Sequence, residues 1–197
     1  MKKPILFVGT LLVVASLFLS HGCKSKEHKA ISLFEENSDA WFVDGDSKWK
    51  FANNELIGVA DSTSGFVITH GRYSNFELSL EFQPDSTINS GVFVQCARPE
   101  MSAEDCHELN IWDLHPNQDF RTGSIVTKVK PYEIVETLNK WNTYRAVTEN
   151  GNIKVYVNDV LTSSIDKDTL VEGHIGLQAM GNGSIKFRNI KLKEIAD

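Results

Sequence analysis

The chain has 197 residues, a formal charge of −6 at pH 7, 13 glycines and three cysteines. An acidic chain with no basic patch is excluded from the electrostatic routes to nucleic acid and to an anionic membrane surface. Once the N-terminal segment is set apart, the length leaves one domain with a substantial core.

The first stretch, "MKKPILFVGTLLVVASLFLSHGC", has two lysines, an apolar run from Pro4 to Leu19 and small or polar residues before Cys23. That is the layout of a secretory signal, with a run somewhat short for a membrane span. Residues 1–22 therefore read as a lipoprotein signal, with Cys23 the lipidated first residue of the mature chain. The expected location is the bacterial cell envelope, periplasm or outer membrane, with membrane contact only through the lipid anchor. Ser20 stands where Leu is usual, so an ordinary cleaved signal is the competing reading. The polar residues 23–30 form a tether, and 31–197 the domain.

From there the chain is a series of β-rich runs: "ELIGVA", "GFVITHG", "NFELSLEFQ", "SGVFVQC", "HELNIWD", "GSIVTKV", "NTYRAVT", "NIKVYVND", "HIGLQAM" and "SIKFRNIKLKEI". Gly, Asn, Asp, Ser and Pro clusters separate them. Phe76, Leu78, Leu80 and Phe82 alternate with polar residues, giving one dry and one wet face. Asn150-Gly151 suits a tight hairpin turn, and "MGNGS" at 180–184 predicts another. Short helices are open options at "SAED" and "YEIVETLN". So many strands in one domain predict an all-β fold: a two-sheet antiparallel sandwich or jelly roll.

In "CHELNIWD", alternation sets Glu108, Asn110 and Trp112 on one face, while Leu109 and Ile111 anchor the other in the core. A carboxylate, a planar amide and an indole in line suit a sugar, whose hydroxyls want polar partners and whose C–H faces want an aromatic platform. An outer face with Glu108 and Asn110 merely solvated is the bland alternative. In an oxidising compartment Cys96 and Cys106 are the expected disulfide, bracketing "ARPEMSAED". Directly opposed cysteines would put Val94 opposite Glu108; a one-residue slip would bring Gln95 there and build a better site.

"TINSGVFVQC", "ELNIWD", "TGSIV", "KWNTY" and the closing "GHIGLQAMGNGSIKFRNIKLKEI", with the opening "ISLFEENSDAWFVDGDSKWKFANNELIGVA", resemble in order and spacing the 3-keto-disaccharide hydrolase family. The resemblance spans about Ile31 to Ile195. It implies a concanavalin A-like jelly roll, export or lipid anchoring, and action on glycosides oxidised to a ketone at C3. Asn89, Ser90 and Gly91 match the family's Asn-Ser-Gly, Glu108 its acidic residue, and Asp113 the Asp that closes that strand. Thr122-Gly123 match the next turn, and Trp141, Asn142 and Tyr144 its Trp-Asn-x-Tyr. The chain departs at Gln95, where many members have Arg, and at Asn110, where many have Gln. Gln95 removes a fixed positive charge, which Arg121 or His115 would restore nearby.

Ordinary glycoside hydrolysis wants two carboxyl groups, roughly 5 Å apart for retention or 6.5–9.5 Å for inversion. The motif shows one. A C3 ketone changes the requirement by acidifying the C2 proton, so a single base suffices if something stabilises the enolate. The expected assignment is Glu108 as base, Trp112 for ring stacking, and Gln95, Asn110 and Asn89 for substrate contacts. Arg121 or His115 would hold the enolate, with a divalent metal on Asp113 and His115 as a further option. The partner is a small carbohydrate or oxidised glycoside. The rival is a lectin- or laminin-G-like binding module on the same sandwich.

Overall fold

The computed structural model describes residues 29–102 and 104–196; the signal segment, Cys23 and most of the tether lie outside the described residues. The strands are β1 (Ile31–Ser32), β2 (Trp41–Gly45), β3 (Lys48–Ala52), β4 (Glu55–Thr69), β5 (Phe76–Pro84) and β6 (Ile88–Cys96). They continue with β7 (His107–Ile111), β8 (Asn142–Glu149), β9 (Asn152–Val157), β10 (Val160–Ile165) and β11 (His174–Glu194). All their pairings are antiparallel. Among the described residues the helical content is one 3-10 turn at Gln118–Phe120, so the helices left open at "SAED" and "YEIVETLN" do not form.

Two long strands build both layers. The first half of β11 lies between β6 and the second half of β4, with β7 beyond β6 and β2 beyond β4. The second half of β11 lies between β5 and the first half of β4, and the layer runs on through β8, β9 and β10. One dry core joins the layers. Val67, Val92, Val94, Leu109, Ile111, Ile175 and Leu177 meet Leu78, Phe82, Ala146, Ile153, Val155, Ile185 and Phe187 there. Alternation in β5 is complete: Phe76, Leu78, Leu80 and Phe82 are buried, and the residues between them are half-buried.

The turns follow their residues. Asn53-Asn54, Asn150-Gly151 and Asn158-Asp159 all have positive φ at both positions, the geometry that closes a two-residue hairpin. "MGNGS" does not reverse the chain as expected; β11 runs straight through it. The left-handed glycines Gly181 and Gly183 there lie where the β11–β4 register shifts, opposite the extra residue Ser62. "GSIVTKV" is also not a strand; Ile125 makes only isolated bridges to Leu109 and Val129.

Of four register shifts, one lies between Leu161 and Ser163 on β10, and three are bulges that reset which residues face inward. Each centres on a non-glycine residue with positive φ: Ser62 (φ 54), Gln95 (φ 53) and Asn189 (φ 53). The register shifts there in β4–β11, β6–β11 and β11–β5. An extra residue flips the alternation. Leu56 and Ala60 point to the core before Ser62 and Val67 after it; Ile185 and Phe187 do so before Asn189 and Ile190 and Leu192 after it.

Candidate functional site

The candidate site is the outer face of the first layer. Phe93 is opposite Glu108 and Gly91 opposite Asn110. Gly176 is opposite Phe93, and Met180 is opposite Asn89 on β6 and Ser64 on β4, with Gln178 between them opposite Phe66. Partners in register share a face, so Glu108, Gly91, Asn89, Gln178, Met180 and Phe66 form one patch across four strands. The inward neighbours Val92, Leu109, Leu177 and Val67 are all core.

The register of β6 on β7 differs from both versions considered from sequence. Phe93, not Val94 or Gln95, stands opposite Glu108. The bulge at Gln95 is the cause, because it lets the strands run one step out of phase with the cysteine pair. Cys96 and Cys106 are disulfide-bonded, with Cα atoms 4.2 Å apart. Gln95 itself is buried, and its side-chain oxygen has no partner. It is not the contact to Glu108 that the slipped register required.

Glu108 is half-buried beside a small apolar cluster of Phe93, Cys96 and Cys106, with Phe66 and Met101 packed on it. Among the described residues no cation or donor pairs with its carboxylate. Burial alone pushes its pKa up to about 7. A carboxyl poised there is ionised for much of the time near neutral pH, yet basic enough to take a proton. Gly91 opens the space beside it: a Cβ there would stand 3.5 Å from the Glu108 Cγ.

The other expected site residues converge, but on one another. Asn110 donates its amide to the Phe120 carbonyl and accepts from the Ile111 N–H at 3.0 Å. Asp113 is buried; one oxygen takes the Thr137 N–H at 2.6 Å and the other its hydroxyl at 2.8 Å. Arg121, also buried, donates to Glu136 (3.1 Å), Gln118 (3.2 Å) and the Val135 carbonyl (3.4 Å), and lies 4.0 Å from Asp113. His115 is held through Nδ1 by Asn117 and packs edge-on against Trp112, 4.5 Å between ring centres, and against Phe120. These groups knot the loop of residues 112–137 to the sandwich. Asn110 is thus a structural amide, Arg121 a loop clamp and Trp112 part of an aromatic cluster. Asp113 and the Nδ1 of His115 are committed to protein partners, and no group of three metal-ligating side chains occurs among the described residues.

The later match is structural too. Asn142 donates to the Thr137 and Lys140 carbonyls (2.8 and 2.7 Å), and Tyr144 packs on Phe82 in the core. Burial, and then the Glu108 charge, raise the Tyr144 pKa.

Sequence reasoning missed Gln178, Met180 and Phe66. Gln178 is 5% exposed and its Oε1 has no partner; Asn89 Oδ1 is likewise buried and unpartnered. The signal was there, since Gln178 stands between the core residues Leu177 and Ala179. What was not readable was that β11 lies beside β6.

A two-layer antiparallel jelly roll whose outer face carries amides and a poised carboxylate is a carbohydrate-related scaffold, hydrolase-like or sugar-binding. The chain belongs to the family described as the 3-keto-alpha-glucoside-1,2-lyase-like domain, whose model matches residues 29–193. A search among curated proteins returns no match. Among solved structures, a candidate glycosyl hydrolase of Parabacteroides distasonis ATCC 8503 is similar at 25% identity and TM-score 0.73, over 85% of this chain and 100% of that one. The carbohydrate binding module CBM66 of Bacillus subtilis matches at 16% identity and TM-score 0.61, over 80% and 98%. The carbohydrate recognition domain of Emp47p matches at 11% identity and TM-score 0.63, over 89% and 100%. The last two share the fold alone.

Proposed function

We propose that the protein is an exported enzyme that cleaves 3-keto-glycosides, with Glu108 as the base. The observation that supports it is the Glu108 carboxyl, unpaired, half-buried and raised to about 7 by burial, on the same face as Gly91, Gln178 and Asn89. The family membership supports the substrate class.

In the first step Glu108 takes the C2 proton of the sugar, and the C–H electron pair becomes the enolate across C2 and C3. The enolate then collapses. C3=O re-forms, C1=C2 forms, and the C1–O bond breaks, the leaving oxygen taking a proton. Water adding to C1=C2 completes a net hydrolysis; without it the reaction is an elimination. One carboxyl serves for this, whereas direct displacement at C1 would ask for two. Since the base must be ionised, turnover should rise with pH through about 7.

The test is incubation with methyl 3-keto-α-glucoside and oxidised disaccharides beside the unoxidised sugars, with and without chelator. The expected result is product from the keto sugars only. Glu108→Gln should lower kcat by roughly 10²- to 10⁴-fold while binding survives. Full turnover by that variant would remove Glu108 from the role; binding without turnover by the wild type would make the face that of a carbohydrate-binding module. The anchor is proposed to be lipid on Cys23, at the cell envelope; labelling with radioactive palmitate should be lost in Cys23→Ser.

A further inference from the structure

On the patch beside Glu108, the amides of buried Gln178 and half-buried Asn89 have almost nothing to bond. Asn89 Nδ2 lies 3.6 Å and Gln178 Nε2 3.9 Å from Met180 Sδ, and these contacts to one thioether are their only side-chain partners among the described residues. A thioether is a weak acceptor, so it leaves the donors poorly satisfied, and both amide oxygens, Asn89 Oδ1 and Gln178 Oε1, have no partner at all. Buried polar groups in folded proteins are nearly always paired, and each exception asks for an explanation. Two neighbours in this layer are paired: Ser90 donates to the Gln178 carbonyl at 2.6 Å, and Asn110 spends both ends of its amide. The Gln95 oxygen at the bulge is unpartnered too, but the Asn89 and Gln178 amides lie together around Met180 on the face that carries Glu108.

Their position relative to Glu108 is fixed by strand order. β11, β6 and β7 are consecutive, so Gln178 is two strand spacings from β7, roughly 10 Å. Gly91 stands between Gln178 and Asn110, one row along from the Phe93–Glu108 pair, and adds no side chain. A Cβ there would touch the Phe93 ring at 3.4 Å and Glu108 Cγ at 3.5 Å, so the diagonal from Glu108 to Gln178 passes over Gly91 and the Phe93 edge. A pyranose ring fits that span. With Glu108 at C2, the ring crosses Gly91 and presents its opposite edge, C4 and the C6 arm, to β11 and the start of β6.

We infer that Asn89 and Gln178 form the specificity subsite for the far edge of the sugar, pairing with the C4 and C6 hydroxyls, and that Met180 holds their place until a ligand arrives. An amide offers a donor and an acceptor side by side, and a hydroxyl uses both. Met180 is 40% exposed and unbranched, so it can swing aside. This inference rests on the proposed function, since it takes Glu108 as the group at C2. The substrate class it names is a 3-keto-pyranoside with free hydroxyls at C4 and C6, and a site built this way rejects analogues that leave its amides unpaired.

The test separates the two claims. In a Glu108→Gln background, which keeps the sugar intact, calorimetry would compare methyl 3-keto-α-glucoside with its 4-deoxy and 6-deoxy analogues. The expected result is roughly tenfold weaker binding of at least one analogue, falling below about twofold when Gln178→Met or Asn89→Leu is added. Met180→Leu should keep the discrimination. Circular dichroism would establish that each variant is folded, and in the wild-type background the same substitutions should raise KM more than they lower kcat. Binding with unchanged discrimination in both amide variants would overturn the subsite and leave Glu108 in place. Loss of discrimination in Met180→Leu would assign the reading to the thioether and also overturn it. No binding of any keto sugar would overturn the proposed function and the subsite together.

Discussion

Two polar regions flank the same strand and behave in opposite ways. At and beyond the end of β7, Asp113, Arg121 and Asn110 are buried, His115 lies beside them, and all four bond to other protein groups. Across β7, β6 and β11, Glu108, Gln178 and Asn89 are sparse: the carboxylate has no cation or donor beside it and both amide oxygens are unmatched. The first region looks more like an active site on paper, because it concentrates charge and aromatic surface. The second has the property a ligand needs, which is bonding capacity the protein has not used. Burial of a polar group costs the chain unless a partner offsets it, so an unpartnered set persists on a structural scaffold only at some loss of stability.

That contrast can be broken by substitution in each region. The largest stability effect should come from the knot. Asp113→Ala strips the partner from the Thr137 N–H and hydroxyl and removes a carboxylate beside the buried Arg121. The expected cost is about 4 kcal/mol, a fall in Tm of roughly 8–16 °C, read by thermal denaturation. Turnover below the new midpoint should stay within a few-fold of wild type. A loss of 10²-fold in a folded variant would move the knot into the chemistry.

The disulfide comes next, because it secures the loop beside Glu108. Cys96→Ser with Cys106→Ser should cost about 3 kcal/mol for a loop closed over a sequence separation of 10, read as a lower urea midpoint. It should also loosen the apolar cluster of Phe93, Met101 and Phe66 that keeps the Glu108 pKa high. The pH at which turnover rises should therefore move down.

The smallest effect has the opposite sign and is the sharpest. The Glu108 pKa is higher in the folded chain, about 7, than the ordinary value of 4.5. Its neutral form therefore suits the fold. That stability is full below the unfolded value and is lost as pH rises through about 7. Glu108→Gln removes the loss: at pH 8 the variant should be more stable than wild type by about 2–3 kcal/mol, and at pH 4 the two should coincide. Equal stability at both pH values would mean that the carboxyl is not desolvated. The residue is thus expected to be costly to the fold and necessary to the reaction.

Much of the architecture was legible because hydrophobic alternation reports burial directly. Phe76 to Phe82 gave β5, and Asn150-Gly151 gave the β8–β9 turn. The short edge strands β2, β3 and β10 carry exposed residues and leave a weak alternation, so they were passed over. "MGNGS" was misjudged because glycines that permit a reversal equally permit a bend within a continuous strand. Within the site, Glu108 was found through its own strand. Gln178 was not, since its role depends on a neighbour more than 80 residues away in sequence. Asn110, Asp113 and Arg121 misled for one reason: sequence shows a polar group and hides its partner.

The bulges give the chain a phase as well as a path. Deleting Ser62 would remove no core atom and no site atom. Asp61 and Ser62 are both exposed, so without Ser62 the ladder would close up and Val67 would still face the core opposite Leu177. Deleting Ser64 instead would advance the second half of β4 by one step, turning Phe66 inward and Val67 outward while β11 kept its own alternation. Single-residue deletion should accordingly be best tolerated at the bulge and worst at the paired residues beside it, where a point substitution on the outer face would pass unnoticed.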